Sequence, residues 1–283
     1  MNLPYKPEYS GKVAVVTGGA GVLCREFAKA LALCGAKVAV LNRTLSKAEA
    51  VVEDIKALGG EAMAVQVNVV DKESVRAAHE QVLASYGKCD ILINGAGGND
   101  PAATADDEFF SMDTLMDENK KSFFDLPEEG FTKVFSLNIM GTLIPTQEFA
   151  RDMVANEHGC ILNISSMNAF TPLTKIPAYS AAKSGVSNFT QWLAVHFAKT
   201  GIRVNAIAPG FFSTAQNAKL LWNDDGTPTA RTGKIINATP MGRFGVPEEL
   251  IGSVLFLTDD KCAGFITGVV LPIDGGFSAY SGV

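Results

Sequence analysis

The sequence predicts an α/β fold in a single domain, a doubly wound parallel sheet of about seven strands with helices on both faces. Short β-branched runs alternate with longer amphipathic stretches, which is the pattern of strand–helix–strand units. The short runs are apolar at nearly every position, as in strands buried on both faces. Glycines cluster between the first run and the first amphipathic stretch, at Gly18, Gly19 and Gly21. No linker divides the 283 residues, so we expect one domain over 1–283.

The predicted elements succeed one another at regular intervals. The strands are predicted at 13–16, 38–41, 64–67, 91–93, 160–164, 203–207 and 268–271. Helices are predicted at 23–34, 46–58, 72–86, 141–156 and 178–200, where apolar residues recur on one helical face. Strands joined by helices run parallel, so their carboxyl ends share one edge of the sheet, where ligands of such folds bind.

Two stretches, 98–131 and 213–245, interrupt the alternation. Both carry Asp, Gly, Pro and Phe without steady periodicity. Long irregular segments in a compact domain are usually lids or binding loops. The first follows the fourth strand at the ligand-binding edge, and we expect Phe109, Phe110, Phe123 and Phe124 to close an apolar seal over the site. The alternative is a peripheral decoration or a subunit contact.

Charge and composition exclude several classes of protein. The net charge of −6 disfavours a nucleic-acid binder, and no apolar run reaches the ~20 residues of a membrane span. The N-terminus lacks the apolar core of a signal peptide. Five scattered cysteines predict reduced thiols in a cytoplasmic protein, and three isolated histidines predict no metal site.

The glycine cluster predicts a dinucleotide site. Glycine lets the backbone approach a pyrophosphate, whose charge then lies at a helix N-terminus. The alternative is a simple turn between strand and helix. No acidic residue ends the second strand to bind a ribose hydroxyl; Asn42 and Arg43 stand there instead. An amide followed by a guanidinium accommodates a 2′-phosphate, so we expect NADP(H), with NAD(H) possible. Arg43 as a solvated residue stacking on adenine is compatible with either cofactor.

Tyr179, Lys183 and Ser166 form a candidate catalytic set. In a helix, residues four apart share one face, so the phenol and the ammonium should lie about a turn apart. A nearby ammonium favours the phenolate, and we expect it to lower the pKa of Tyr179 from ~10. Such a tyrosine can exchange a proton with a substrate.

Over nearly its whole length the chain resembles the short-chain dehydrogenase/reductase family. The motifs occur in the family's order: Thr17-Gly18, Asn94-Gly95-Ala96-Gly97, Asn138, Ser166, Tyr179 with Lys183, Pro209-Gly210 with Thr214, and Asp274-Gly275-Gly276. The resemblance implies a Rossmann fold and an NAD(P)-dependent alcohol dehydrogenase or ketone reductase, usually a tetramer. One departure is that Val22 and Cys24 hold two of the family's glycine places, which should loosen the strand–helix packing at Cys24.

The resemblance also implies residue roles. Ser166 would hold the carbonyl oxygen, Tyr179 would protonate it, Lys183 would grip the nicotinamide ribose, and Asn138, opening a helix, would hold a water beside Lys183. The alternative for Asn138 is an ordinary helix-entry asparagine. Phe212 and Thr214 would position the carboxamide. The implied cofactor contacts are Gly18, Gly21, Leu23, Asn42, Arg43, Asn68, Val69, Asn94, Gly95, Ala96, Tyr179, Lys183, Pro209, Gly210, Phe212 and Thr214.

A narrower resemblance points to the branch of that family that interconverts D-mannonate and D-fructuronate. It rests on the segments 141–147, 163–179, 188–196 and 275–283 and on the insertion after Gly97. A uronate carries a carboxylate, so Lys175 and Arg231 are candidate clamps and Asn168 is a candidate partner of the hydroxyls, beside Ser166. Lys175 and Arg231 as solvated charges are the alternative. A gluconate- or polyol-type dehydrogenase, or a non-catalytic dinucleotide sensor, would also carry much of this pattern.

The helix 178–200 carries a second apolar set besides its catalytic residues: Phe189, Trp192, Leu193, Val195, His196 and Phe197. One helix in a monomer cannot easily bury both faces. We expect it to pack with helix 141–156 of a neighbouring subunit, giving a homodimer or homotetramer.

Overall fold

Seven parallel strands form one sheet in the order β3-β2-β1-β4-β5-β6-β7. The computed structural model describes residues 1, 3–214 and 221–282. The strands are β1 (Val13–Thr17), β2 (Lys37–Asn42), β3 (Glu61–Gln66), β4 (Ile91–Asn94), β5 (Gly159–Ile164), β6 (Ile202–Pro209) and β7 (Val270–Ile273). The order reverses between β1 and β4, so the helices that follow these two strands pack on opposite faces of the sheet and leave a crevice at the carboxyl ends of the strands. The predicted doubly wound fold is confirmed.

Ten helices of the described residues surround the sheet. They are α1 (Cys24–Leu33), α2 (Leu45–Ala57), α3 (Lys72–Tyr86), α4 (Met112–Met116), α5 (Glu128–Phe135), α6 (Gly141–Ala155), α7 (Pro177–His196), α8 (Ala230–Asn237), α9 (Ile251–Thr258) and α10 (Asp260–Ala263). Helices α1, α2 and α9 pack on one face, and α3, α6 and α7 pack on the other. None of the described helices is long and apolar enough to cross a membrane.

Strand β1 shows why the central runs are apolar throughout. Ala14 and Val16 enter the core under α1, whereas Val13 and Val15 enter the core under α3. Successive side chains of a strand point to opposite faces, so in a sheet covered on both sides nearly every position is apolar, and a buried polar residue needs a hydrogen-bond partner. The edge strand β3 departs from the prediction, because Glu61 and Gln66 are exposed where only one neighbour covers the strand.

Several boundaries differ from the sequence prediction, among them the start of β3, at Glu61 rather than 64, and the end of α7, at His196 rather than 200. Asn138 does not open a helix: α5 begins at Glu128 and continues into α6 through a π-helical turn, Ser136–Met140, that holds Asn138 at its centre. The extra residue in this turn shifts the helical phase, which conceals one continuous helical segment from a search for 3.6-residue periodicity. Strand β7 begins at Val270, two residues later than predicted.

The first irregular stretch is more ordered than a loop. It contains the short helix α4, single turns at Pro101–Ala103 and Phe123–Asp125, and the start of α5. Ser111 caps α4 by accepting a hydrogen bond from the Thr114 N–H. In the second stretch α8 is helical, while residues 215–220 lie outside the described part of the chain.

Candidate active site

The turn between β1 and α1 brings the backbone of two strands into close contact. Gly18 has φ +62°, and a Cβ atom there would lie 2.9 Å from the backbone N and Cα of Ala96. The Gly21 N–H donates to the Gly18 carbonyl at 2.8 Å, which closes the turn before α1 begins at Cys24. Only glycine fits at position 18. Any other residue would be strained at this positive φ, and its Cβ would clash with the backbone just after β4.

Thr17 joins the ends of β1 and β4. Its Oγ1 accepts hydrogen bonds from the backbone N–H groups of Gly95 and Ala96, at 3.1 and 3.3 Å. These bonds fix the segment after β4 at the crevice beyond the ends of β1 and β4. This role of Thr17 was not predicted from the sequence, where the position of Thr17 directly before Gly18 is the signal for it.

Cys24 fills the place of a missing glycine without loosening the packing. Its Sγ lies where a side chain on Gly95 would otherwise point, and Cys24 is buried. The expected gap is absent because a glycine at 95 compensates for the larger residue at 24. Burial raises the pKa of the Cys24 thiol to about 12, so the thiol stays neutral near pH 7.

The Asn94 side chain forms its hydrogen bonds in the interior of the protein. Its side-chain amide donates to Thr146 Oγ1 and to Asn163 Oδ1, each at 2.9 Å, and Asn163 in turn donates to Thr190 Oγ1. This buried chain links β4 and β5 to α6 and α7. The side chain therefore supports the sheet beneath the site, and a cofactor contact from Asn94 would have to use its backbone.

Tyr179, Lys183 and Ser166 come together at the carboxyl end of β5. Tyr179 and Lys183 lie one turn apart on α7, with Lys183 Nζ 5.6 Å from the centre of the Tyr179 ring. Ser166, two residues beyond β5, hydrogen-bonds to the Tyr179 phenol. Lys183 Nζ donates to the Ile164 carbonyl at 2.7 Å, which anchors the ammonium to the same strand. All three line one cavity.

The protonation of this pair differs from the sequence prediction. Burial raises the pKa of Tyr179, and the hydrogen bond with Ser166 offsets only part of that rise. Burial also lowers the pKa of Lys183 to about 8. The expected lowering of the Tyr179 pKa by Lys183 is wrong for the protein without a ligand, because both groups are withdrawn from water and Lys183 donates to Ile164. Tyr179 is consequently a proton donor at neutral pH.

Asn138 forms hydrogen bonds at the start of the stretch 98–131, which is called the first insertion from here on. Its Nδ2 donates to the carbonyls of Gly98 and Val134, both at 2.8 Å, and its Oδ1 accepts from the Gly98 N–H at 3.2 Å. A Cβ on Gly97 would lie 2.7 Å from Asn138 Oδ1 and 3.0 Å from Lys183 Nζ, so Asn138 does lie beside the catalytic lysine. That it holds a water there stays a prediction.

The cavity fits the central part of a dinucleotide. It encloses about 380 Å³ and is lined by Gly18, Gly21, Val22, Leu23, Gly95 and Gly97 at one end, and by Ser166, Tyr179, Lys183, Pro209, Gly210, Phe212 and Thr214 at the other. A Cβ on Gly210 would lie 2.6 Å from Asp274 Cα, so the wall beside β6 also requires glycine. Bare backbone of this kind is what a pyrophosphate needs in order to approach.

Six of the predicted cofactor contacts do not line this cavity: Asn42, Arg43, Asn68, Val69, Asn94 and Ala96. Asn42 ends β2 and donates to the Thr44 carbonyl at 2.9 Å, whereas Arg43 is exposed. Asn68 and Val69 follow β3, the next strand at the same edge, and Val69 packs beside Gly141. Phe212 is buried, and a Cβ atom on Gly245 would lie 2.5 Å from its ring, so Phe212 helps to fix the wall of the cavity.

The predicted substrate residues separate into two groups. Asn168 is buried next to Ser166, whose Oγ accepts from the Asn168 N–H at 3.2 Å. Lys175 and Arg231 line a neighbouring cleft, where Lys175 Nζ donates to the Asp106 carbonyl. Phe211 lines both the cleft and the catalytic cavity. No group of three or more metal-ligating side chains occurs within 1, 3–214 and 221–282.

The fold and this site together define a nicotinamide-dinucleotide-dependent oxidoreductase acting on CH–OH groups. A family model described as short chain dehydrogenase matches residues 12–224. An uncharacterised oxidoreductase of Haemophilus influenzae is 52% identical over 283 residues, covering 100% of this chain and 99% of its own. The chain belongs to the short-chain dehydrogenase/reductase family.

Two solved structures place the chain within that family. A protein of Haemophilus influenzae, provisionally named a D-mannonate oxidoreductase and solved with bound NAD, has a TM-score of 0.94 and 53% identity, covering 98% of each chain. A gluconate 5-dehydrogenase of Burkholderia cenocepacia, solved with NADP and tartrate, has a TM-score of 0.81 and 27% identity, covering 96% of this chain and 97% of its own.

Proposed function

We propose that the chain interconverts a hydroxyl and a ketone on a sugar acid, with D-mannonate and D-fructuronate as the first candidates. The observation that carries the proposal is the position of Lys175 and Arg231, which line a cleft that shares Phe211 with the catalytic cavity. Cations beside a carbonyl-reducing site suit a substrate with a carboxylate. The provisional name of the Haemophilus protein supports the same choice. A gluconate- or polyol-type dehydrogenase is the second candidate, supported by the Burkholderia enzyme.

The placement of the side chains supports a catalytic role for each of three residues. A bound dinucleotide supplies the hydride for the carbonyl carbon. Tyr179, protonated near pH 7 because burial raises its pKa, gives its phenolic proton to the carbonyl oxygen. Ser166 lies close enough to Tyr179 to donate a second hydrogen bond to that oxygen as its charge grows. Lys183, fixed by the Ile164 carbonyl, presents its ammonium beside the ring of Tyr179.

A panel of substrates tests the proposal. D-fructuronate, 5-keto-D-gluconate and a neutral ketose would each be offered with NADH and with NADPH, and the nicotinamide absorbance followed. Reduction of D-fructuronate with a kcat/KM at least ten times that of the other two is the expected result. A preference for 5-keto-D-gluconate would favour the second candidate, and a preference for the neutral ketose would contradict both acid substrates.

For the cofactor we propose NADP(H), with NAD(H) as the alternative that the NAD-bound Haemophilus structure favours. The exposed Arg43 and the absence of an acid at the end of β2 support room for a 2′-phosphate. Asn42→Asp combined with Arg43→Leu should shift the kcat/KM ratio toward NADH, since attraction is lost and repulsion added. A wild type that already prefers NADH would show that Arg43 has no part in cofactor selection.

A further inference from the structure

The cleft beside the cavity of Tyr179 is formed by five separate parts of the chain, two of which contribute only Phe211 and Phe277. It encloses about 480 Å³ between residues 173–176, helix α8 and Glu108 of the first insertion. Phe211 forms a wall that it shares with the cavity of Tyr179. The cleft and the cavity of Tyr179 are therefore neighbours, with Phe211 lining both.

The charges within the cleft are unbalanced. Lys175, Arg231 and Lys234 supply three cations, and among the described residues lining the cleft Glu108 is the single acid. Lys234 Nζ lies 2.6 Å from Glu108 Oε1. The hydrogen bond from Lys234 lowers the pKa of Glu108, and the charge of Lys175 lowers it further, so Glu108 is ionised near pH 7.

The pair between Lys234 and Glu108 has little value as a structural bond. The Lys234 side chain is 68% exposed, and ion pairs of that exposure contribute little to stability. The pair nevertheless joins two segments that are 126 residues apart, the first insertion and α8. The pair holds the Glu108 carboxylate beside the cations of the cleft, which lies next to the cavity of Tyr179.

We propose that Glu108 occupies the place that the carboxylate of an acidic substrate takes, and that Lys234 is the specificity-determining residue that exchanges one carboxylate for the other. This rests on the proposed function, because it assigns the substrate's acidic end to the cleft. Lys234 is paired with Glu108 before binding and with the carboxylate of the substrate after it. Binding of an acid therefore costs little electrostatic free energy at Lys234. A neutral analogue cannot replace Glu108 and gains nothing from the cleft.

The test uses a matched pair of probes, D-gluconate and D-sorbitol, which share a six-carbon polyol chain and differ in charge. Calorimetry would measure the binding of each to the full-length protein saturated with NADH. Glu108→Gln removes the internal competitor and should tighten gluconate about three- to ten-fold, whereas Lys234→Met should weaken it to a similar extent. Sorbitol binding should stay the same in both variants. Glu80→Gln, which disrupts an exposed pair with Arg76 on α3, is the control and should change neither probe.

The outcomes separate this proposal from the proposed function. Tighter gluconate binding to Glu108→Gln supports the subsite even if the enzyme reduces no sugar acid in the substrate panel. Gluconate binding that is equal in wild type and Glu108→Gln, or undetectable in both, overturns the subsite even if D-fructuronate is reduced. A parallel change in sorbitol binding would also overturn it, since the effect would then not depend on charge.

Discussion

Lys183 is buried and Tyr179 is half-buried, and withdrawal from water shifts the pKa of each toward its neutral form. Lys183 is 5% exposed and is linked to Ile164 through one short hydrogen bond. Its pKa of about 8 shows that the charged form is disfavoured relative to water. Residues that lower stability in this way are common at active sites, where a charge is positioned for a ligand.

Tyr179→Phe should remove turnover and leave cofactor binding intact, because the ring stays and only the donated proton is lost. We expect kcat to fall by at least ~10²-fold, measured as nicotinamide oxidation with the best substrate of the panel.

Ser166→Ala should lower kcat by ~10²-fold through loss of one donor to the carbonyl oxygen. Near-normal kcat in either variant would remove that residue from the catalytic set.

Lys183→Met tests the buried charge through stability. In wild type the folded-state pKa lies below the unfolded value of ~10.4, so between pH 8 and 10 the unfolded chain binds more protons and the free energy of unfolding rises with pH. The variant lacks this rise. We expect wild type to gain about 1–3 kcal/mol relative to the variant over that range, in urea unfolding without cofactor. Parallel curves for the two proteins would show that the pKa is not lowered.

The aromatic side chains of the first insertion do not form the predicted seal in this structure. Phe109 is 80% exposed and Phe124 is 69% exposed, and Phe124 instead makes edge-to-face contacts with Phe110 and Phe123. The insertion attaches to the segment before α7 through a hydrogen bond from the Ala105 N–H to the Lys175 carbonyl at 2.9 Å. The start of the insertion therefore contacts Lys175, which lines the candidate substrate cleft.

Excision of 109–120 tests the lid and retains Glu108. The Asp106 N–H donates to the Lys121 carbonyl at 3.0 Å, so the two ends lie close enough for a short Gly/Ser linker, and Ala103, which packs in the cluster beside Tyr179, is also retained. If the insertion closes over the substrate, its removal should raise KM and lower kcat while the Kd of NAD(P)H stays nearly the same. Unchanged kinetics would leave the insertion as a peripheral decoration or subunit contact.

The outer face of α6 and α7 leaves several large apolar side chains exposed. Trp192 is 55% exposed and Val195 is 79% exposed, and Phe189, Trp192 and His196 form a continuous aromatic stack. The two helices enclose a groove of about 800 Å³. Leu193, predicted to belong to this face, lies in the core instead.

We predict that this face pairs with its copy in a second subunit, giving a homodimer or homotetramer. Trp192→Glu combined with Val195→Glu should shift the mass measured by light scattering toward the monomer at micromolar concentration, since two charges would be buried without partners. The same substitutions should leave the monomer folded, because both side chains are exposed. A wild type that is already monomeric would contradict the prediction.

The sequence by itself determined the order of elements, the glycine-dependent turns and the shared face of Tyr179 and Lys183. These features depend on local rules: the periodicities of strands and helices, and the wide range of backbone angles open to glycine. Residues close together in the sequence are enough to reveal them. The tertiary structure decided what depends on distant partners. Burial set the pKa values of Tyr179 and Lys183, and Gly95 made room for Cys24. The contacts of Asn138 with Gly98 and of Lys234 with Glu108 join segments 40 and 126 residues apart, a separation that no local pattern encodes.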